Sequence, residues 1–338
     1  MQYQIGTIIA LFLVIVLLIK RKSKADWVLM TWLLVLAIHT CLFYLDISGH
    51  IVKYSVLVGI SIPFPILHGP FLYTYTSLLL FPNAKIRRYL IHFLPFIILN
   101  LILIPFYRLP LEDKLYVFEN DGAGYEIFVM INAVLIVLSG IVYFAVTFFK
   151  IRRHQRRIKY NFSLMEKVNL QWLKFLCLGI GTIWLFVFFG NSEIIFSIVV
   201  LFVITIGIMG IRQTNIFTGS PSLIDVIEID PRKAKYQKSG LSEKEKSKIL
   251  QNLEEYVNSE KPFLNPNLSL NDLAGAIGAN PNYLSQVLNE RYKMNFYDFI
   301  NSRRVEAFLQ LMEETKYSHY KLVEVAYECG FNSKSAFN

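Results

Sequence analysis

Asn282, Tyr283, Ser285, Gln286 and Asn289 stand close together in the stretch "ANPNYLSQVLNERY", residues 279–292. Wound into a helix, they share its outer side. Their amides and hydroxyls donate and accept hydrogen bonds without carrying charge. Asn and Gln can each bond the edge of adenine in two places, and a helix is the element that fits the major groove. The chemistry offered here is the reading of base edges rather than the making of bonds.

That stretch needs a scaffold, and the flanking residues describe one. Leu284, Val287 and Leu288 turn inward. Asn280 caps the helix and Pro281 takes its first position, where a proline has no hydrogen bond to lose. Upstream, Ser269 with Asp272 three residues later forms a capping box. Leu270, Leu273, Ala274 and Ile277 make an apolar face, and Gly278 stops that helix. Two short helices joined by a glycine turn form a helix-turn-helix. A longer helix comes next, at about 295–314. The pattern then repeats, with Leu322, Val323, Val325 and Ala326 inward and Gly330 at the turn. "FNSKSAFN" opens another recognition helix, capped by Asn332 or Ser333. Before all of this, Ser242 and Glu245 cap a helix over 242–258. Its stripe of Ile249, Leu250, Leu253, Tyr256 and Val257 is too short for an independent coiled coil. It is expected to pack on the first helix-turn-helix, with a homodimer contact left open.

In this order and at these spacings, "LA...G.....YLS..LN", "NF.D.I...RVE" and "VAYECGFNSKSAFN" resemble the AraC-type regulator family, over about 70 residues. The resemblance implies two helix-turn-helix units joined by a long helix, binding double-stranded operator DNA. It puts Asn282, Ser285 and Gln286 on groove-facing positions of the first unit, and Lys334, Ser335 and Asn338 on those of the second. With Asn280, Tyr283, Asn289 and Arg303 these are the candidate DNA contacts. Phe308 stands where many members have alanine. The family's second recognition helix continues past the point where this sequence stops, so the second unit is expected to be incomplete. "HGPFLYTY" and "IHFLPF" resemble membrane-embedded members of the same family.

The other half of the chain is apolar. Of 338 residues 54% are hydrophobic, with 27 Phe and 19 Tyr, more than a soluble interior can bury. Apolar runs lie at about 3–19, 27–45, 54–81, 89–107, 126–149, 170–189 and 193–211. A helix takes ~20 apolar residues to cross a ~30 Å hydrocarbon core, so seven crossings are expected. The first run has its positive charges after it and no small-residue cleavage site, so it reads as a retained span. Lys and Arg mark the cytoplasmic side. Alternate loops carry four, three and seven of them, against one, two and none in the others. This places the N-terminus outside and the C-terminal half in the cytoplasm. The net charge of +9 is therefore topological, because residues 212–338 hold sixteen basic and sixteen acidic residues.

Run three holds Pro63, Pro65 and Pro70, which should kink or break its helix. Freed backbone at membrane depth must be buried in protein or line a cavity. A candidate ligand pocket is thus set at His39, Pro63, Pro65 and His68, beside the plainer reading of a kinked packing helix. By helical rise His39 and His68 share a depth of roughly 18–20 Å from the cytoplasmic face, and His92 does not. The two can meet, but two histidines are too few for a catalytic zinc. Cys41, Cys177 and Cys329 make neither a disulfide framework nor a metal motif. The acidic connector 108–126 reads as a lid, a ligand contact or a solvated link.

The expected fold is all-α: a seven-helix transmembrane domain over 1–212, a linker with an amphipathic helix over 213–261, and a tandem helix-turn-helix over 262–338. No HExxH, GxSxG or Walker motif suggests an enzyme, and no cofactor or metal is implied. The expectation is a multi-pass inner-membrane protein whose partners are operator DNA, the lipid bilayer and an unidentified small-molecule or membrane signal. The alternative is a receptor or transporter-like protein whose tail is a protein-interaction module.

Overall fold

The computed structural model describes residues 2–19, 23–161, 171–189, 191–212, 241–317, 319–331 and 337. The described residues contain helices and no strand. The chain divides into two compact units, one of residues 1–151 and 171–224 and one of residues 152–170 and 225–338.

The apolar half holds α1 (Gln2–Ile19), α2 (Lys24–Ile47), α3 (Pro65–Leu80), α4 (Leu94–Ile102), α5 (Leu111–Glu119), α6 (Glu126–Asn161), α7 (Gln171–Phe189) and α8 (Ser192–Arg212). Among the described residues three helices are long and apolar enough to cross a membrane: α1, α2 and the part Glu126–Arg156 of α6. Where seven were expected, three candidate spans stand among the described residues. Runs 54–81 and 89–107 fail as single helices because prolines interrupt them. Pro65 opens α3 and Pro70 sits inside it. Pro95 lies in the first turn of α4, and Pro105 in that of the short helix Ile104–Tyr107. In α7 and α8, of 19 and 21 residues, the apolar stretches counted among the described residues are Trp172–Val187 and Ser192–Gly207. The basic run from Lys150 is not a loop at its start, since α6 continues through it to Asn161.

The break in α3 is answered by α6. Pro70 has no N–H for the Ile66 carbonyl, and the Ser139 hydroxyl donates to that carbonyl at 3.2 Å. Ile66 N–H turns to the Pro63 carbonyl, and the Asn132 amide donates to the Ile62 carbonyl left behind, at 3.4 Å. Gly69 lets the helices close: a Cβ there would overlap Tyr143 and Ser139. Tyr143 hydrogen-bonds His92 at 2.9 Å, and the Lys150 ammonium donates to Ser77 and sits 4.4 Å over the Tyr73 ring. The longest apolar helix thus carries one polar stripe, of which Asn132 and Ser139 serve carbonyls beside the prolines and Tyr143 and Lys150 meet polar and aromatic side chains.

The connector 108–126 is not a bare link. It folds into α5, Lys114 is buried with its ammonium donating to the Ser55 carbonyl at 2.9 Å, and Phe106 packs against Phe118 and Tyr125.

The second unit contains α9 (Glu243–Glu260), α10 (Leu270–Ala276), α11 (Pro281–Val287), α12 (Phe296–Glu313) and α13 (Leu322–Glu328). It has two small cores. The first gathers Leu253 and Val257 of α9 with Leu270, Leu273, Leu284, Leu288, Phe296 and Ile300. The second gathers Phe308, Tyr317, Val325, Ala326, Cys329 and Phe331. The apolar stripe of α9 packs on the first helix-turn-helix as expected, with Leu253 and Val257 buried and Ile249 and Tyr256 partly so. Leu322, expected inward, is 55% exposed because it begins α13 on the side away from the core.

Candidate nucleic-acid interface

The first helix-turn-helix follows from local chemistry. The Ser269 hydroxyl accepts from Asp272 N–H, while the Asp272 carboxylate accepts from Ser269 N–H at 3.0 Å. Gly278 takes φ +63°, and Ala279 N–H reaches back to the Ala274 carbonyl at 2.8 Å, closing α10. Asn280 accepts from Asn282 N–H at 2.9 Å and starts α11 with Pro281 in its first turn. The helix runs on through a wider π turn, Leu288–Tyr292, and stops at Lys293 in the left-handed region. Leu284, Val287 and Leu288 are wholly buried, which fixes the rotation of this helix on its axis.

With the rotation fixed, the outer face is determined. Asn280, Asn282, Tyr283 and Asn289 are exposed, and Ser285 and Gln286 are half-buried. They form one side, as the residue spacing suggests, but two are already engaged. Gln286 donates its amide to the Glu290 carboxylate at 2.8 Å, and Asn289 donates back to the Ser285 carbonyl at 2.7 Å. Arg303 lies half-buried on α12, paired with Glu306 at 2.8 Å and lying over the Phe299 ring. Lys334, Ser335 and Asn338 lie outside the described residues.

Residues that the sequence did not single out hold this face in place. Lys246 on α9 pairs with Glu243 and with Glu290, at 2.8 and 2.9 Å, and Arg291 pairs with Glu243 at 2.9 Å. Tyr292 donates to Glu254 at 2.8 Å; burial, then that carboxylate, pushes its phenol up to about 12. Arg304 is fully buried. Its Nε donates to the Phe263 carbonyl at 2.8 Å, and its terminal nitrogens reach the Asn265 carbonyl and the Asn301 side chain. A signal for it was present: Arg304 stands four residues after Ile300 and four before Phe308, on the inward stripe of α12.

In the second half, Tyr317 donates to Glu328 at 2.6 Å, tying the turn before α13 to its end; that bond first, then burial, pushes the phenol up to about 12. Gly330 takes φ +89°, and a Cβ there would overlap the carbonyls of Phe263 and Leu264. Phe337 packs on Phe308 and Phe331.

In the apolar half, His39 and His68 do meet, 3.3 Å apart between ring nitrogens. Pro63 is buried and Pro65 opens α3. An open cleft of about 330 Å³ has a different lining, Gln2, Tyr3, Glu193 and Ser197 between α1 and α8. No group of three or more metal-binding side chains occurs among the described residues.

No curated protein and no solved structure matches the chain. Residues 273–338 match the family model described as a helix-turn-helix domain. The match begins within α10 and takes in α11, α12 and α13. The AraC type to which this model corresponds is a family of DNA-binding regulators and not an enzyme class. Residues 273–338 of this chain are accordingly a helix-turn-helix domain of the AraC type.

Proposed function

We propose that the chain is a membrane-anchored, one-component transcription regulator. The apolar half holds it in the bilayer and takes up a signal, and the helix-turn-helix domain reads operator DNA from the cytoplasmic side. The observation that supports this most is the outer face of α11. Asn282, Tyr283, Ser285, Gln286 and Asn289 present base-reading groups on a helix whose rotation is fixed by a fully buried opposite face. The apolar helices, three of them of spanning length, support the anchoring. The Lys and Arg asymmetry supports an N-terminus outside and a cytoplasmic C-terminal domain.

The test uses the full chain in nanodiscs and a fluorescent DNA fragment from upstream of its own gene. Binding that competes with unlabelled copies of that fragment, but not with scrambled DNA, meets the proposal. Equal competition by both sequences at fixed salt defeats it, since phosphate contacts alone read no sequence. A second reading, a protein-interaction module, draws on the balance of sixteen basic and sixteen acidic residues over 212–338. Failure to bind any DNA would favour it.

A further inference from the structure

The Trp32 indole donates to His68 Nδ1 at 3.2 Å, and His68 Nε2 faces His39 Nδ1 at 3.3 Å. An indole N–H can only donate. His68 must therefore accept at Nδ1 and carry its hydrogen on Nε2, so it donates to His39 Nδ1. His39 in turn carries its hydrogen on Nε2. One donor-only group fixes the tautomers of both rings. This also speaks against a metal on the pair. A metal on His68 Nε2 would move the ring hydrogen to Nδ1, where it would meet the indole hydrogen.

The chain of three is enclosed. Trp32 and His39 on α2 are buried, and His68 is half-buried on α3 between Pro65 and Pro70. Phe64 and Phe196 close on the His39 ring, and Phe71 stacks on Trp32. The ionisable groups on the elements packed around the pair include Tyr3 on α1, Cys41, Tyr44 and Asp46 on α2, Tyr73 and Tyr75 on α3, Tyr143 and Lys150 on α6, Lys174 and Cys177 on α7 and Glu193 on α8, with His92 just before α4. Among the described residues the two rings hydrogen-bond only to Trp32 and to each other.

We infer that Trp32, His68 and His39 form a site for a single proton, and that binding the proton breaks the indole bond between α2 and α3. The proton adds to the His68 Nδ1 lone pair, which the indole must first vacate. His68 becomes an imidazolium with a hydrogen on each nitrogen. Its Nε2–H still donates to neutral His39 Nδ1, now as a charge-assisted bond, roughly twice as strong as a neutral one. Addition at His39 Nδ1 instead would set two N–H groups against each other. His68 Nδ1 is thus the position where gaining a proton strengthens the remaining link. The inference goes beyond the reading of DNA and does not depend on it.

The experiment uses the full chain in nanodiscs with ¹⁵N-labelled tryptophan indoles. The chain has four tryptophans, and Trp32→Phe assigns the signal of interest. As the pH is lowered from about 8 to about 4, across the range where imidazoles titrate, the Trp32 indole proton moves upfield along a one-proton curve. His68→Gln keeps an acceptor for the indole but cannot take the proton, so the titration disappears. His39→Phe leaves the indole bond but removes the ring that shares the charge, and displaces the midpoint by roughly one pH unit. A flat wild-type signal overturns the site without recourse to any histidine variant. So does a titration that survives His68→Gln, and an unmoved midpoint in His39→Phe overturns the role of the pair. The readout lies in the apolar half and stands apart from the outcome of the DNA experiment.

Discussion

Arg304 Nε donates to the Phe263 carbonyl oxygen at 2.8 Å, and Gly330 lies against that same oxygen with no room for a side chain. The turn 262–265, between α9 and α10, is thereby held by α12 from one side and by the second helix-turn-helix from the other. Burial lowers the Arg304 guanidinium to about 10, which leaves it charged at neutral pH. Arg304→Met strands the buried Phe263 carbonyl, whereas the exposed Asn265 carbonyl keeps the Leu268 N–H. At about 1–3 kcal/mol for a buried unpaired group, the loss is about 1–3 kcal/mol. Hydrogen-exchange protection of the full chain should fall in both 262–277 and 322–331. A loss confined to one half would show that the turn does not join them.

The two turn glycines differ in what they exclude. Gly278 and Gly330 both have positive φ, but only at Gly330 does an added Cβ meet backbone, while at Gly278 it meets open space. Gly278→Ala should cost about 1–2 kcal/mol for the left-handed conformation. Gly330→Ala adds about 1–3 kcal/mol of overpacking to that. Urea unfolding followed through exchange of α10 and α13 amides ranks the two. The reverse ranking would place the constraint elsewhere.

What the sequence revealed of this fold was local. The capping boxes at Ser242 and Ser269, the Asn280 cap and the two glycine turns each depend on residues a few positions apart, and each stands where it was expected. The apolar face of α10 is equally local. The span count failed because a run of apolar residues does not record whether its prolines leave one helix or several. Pro65, Pro70, Pro95 and Pro105 turned two runs into short pieces. Gln286 was legible as an outward amide, yet its tie to Glu290, and that of Glu290 to Lys246, requires α9 to lie beside α11. Spacing within one helix cannot show a bond that tertiary packing creates.

Ser139 matters because of Pro70. Its hydroxyl supplies the hydrogen bond that the Ile66 carbonyl lacks, at 3.2 Å. Ser139→Ala should destabilise the apolar unit by roughly 0.6–1.7 kcal/mol, the range of side-chain hydrogen bonds between membrane helices. In the double variant Pro70→Ala with Ser139→Ala, residue 70 regains an N–H that can bond Ile66 within the helix, so stability should return. Detergent-titrated unfolding in mixed micelles measures both. A double variant no more stable than Ser139→Ala alone would disconnect the two residues.

Acid should loosen the start of α9 first. Hydrogen bonds from Lys246 to Glu243, from Ser242 to Glu245 and from Gln286 to Glu290 hold these carboxyls below their ordinary 4.5. A depressed folded value gives stability that is present above 4.5 and is lost as pH falls through the lower folded values. Lys246, raised above 10.5 chiefly by Glu243, loses its contribution only as pH rises past that point. Exchange protection factors over residues 243–250 should hold steady from about pH 5 to about pH 9 and drop below. Glu245→Gln should flatten part of that drop, and an unaltered acid profile in this variant would remove the cap from the explanation.

Glu290 sets the availability of Gln286. The carboxylate takes the Gln286 amide N–H at 2.8 Å and the Lys246 ammonium at 2.9 Å, so the residue best suited to adenine begins with its donor occupied. Two effects then point the same way. Reaching a base edge requires the amide to leave Glu290, and a carboxylate on this end of α11 repels approaching phosphates. Glu290→Ala releases both the amide and Lys246, and should tighten operator binding. On the proposed reading Gln286→Ala removes a base contact and should weaken binding by roughly 5- to 150-fold, the equivalent of about 1–3 kcal/mol for a two-point amide–adenine pair. The double variant separates the two effects. If the gain in Glu290→Ala comes from freeing Gln286, it vanishes once Gln286 is alanine; if it comes from charge alone, it persists and falls with added salt. Affinities of the four proteins for one operator, at low and at physiological salt, close the cycle. Weaker binding by Glu290→Ala at both would mean that Glu290 positions Gln286 for the groove instead of withholding it.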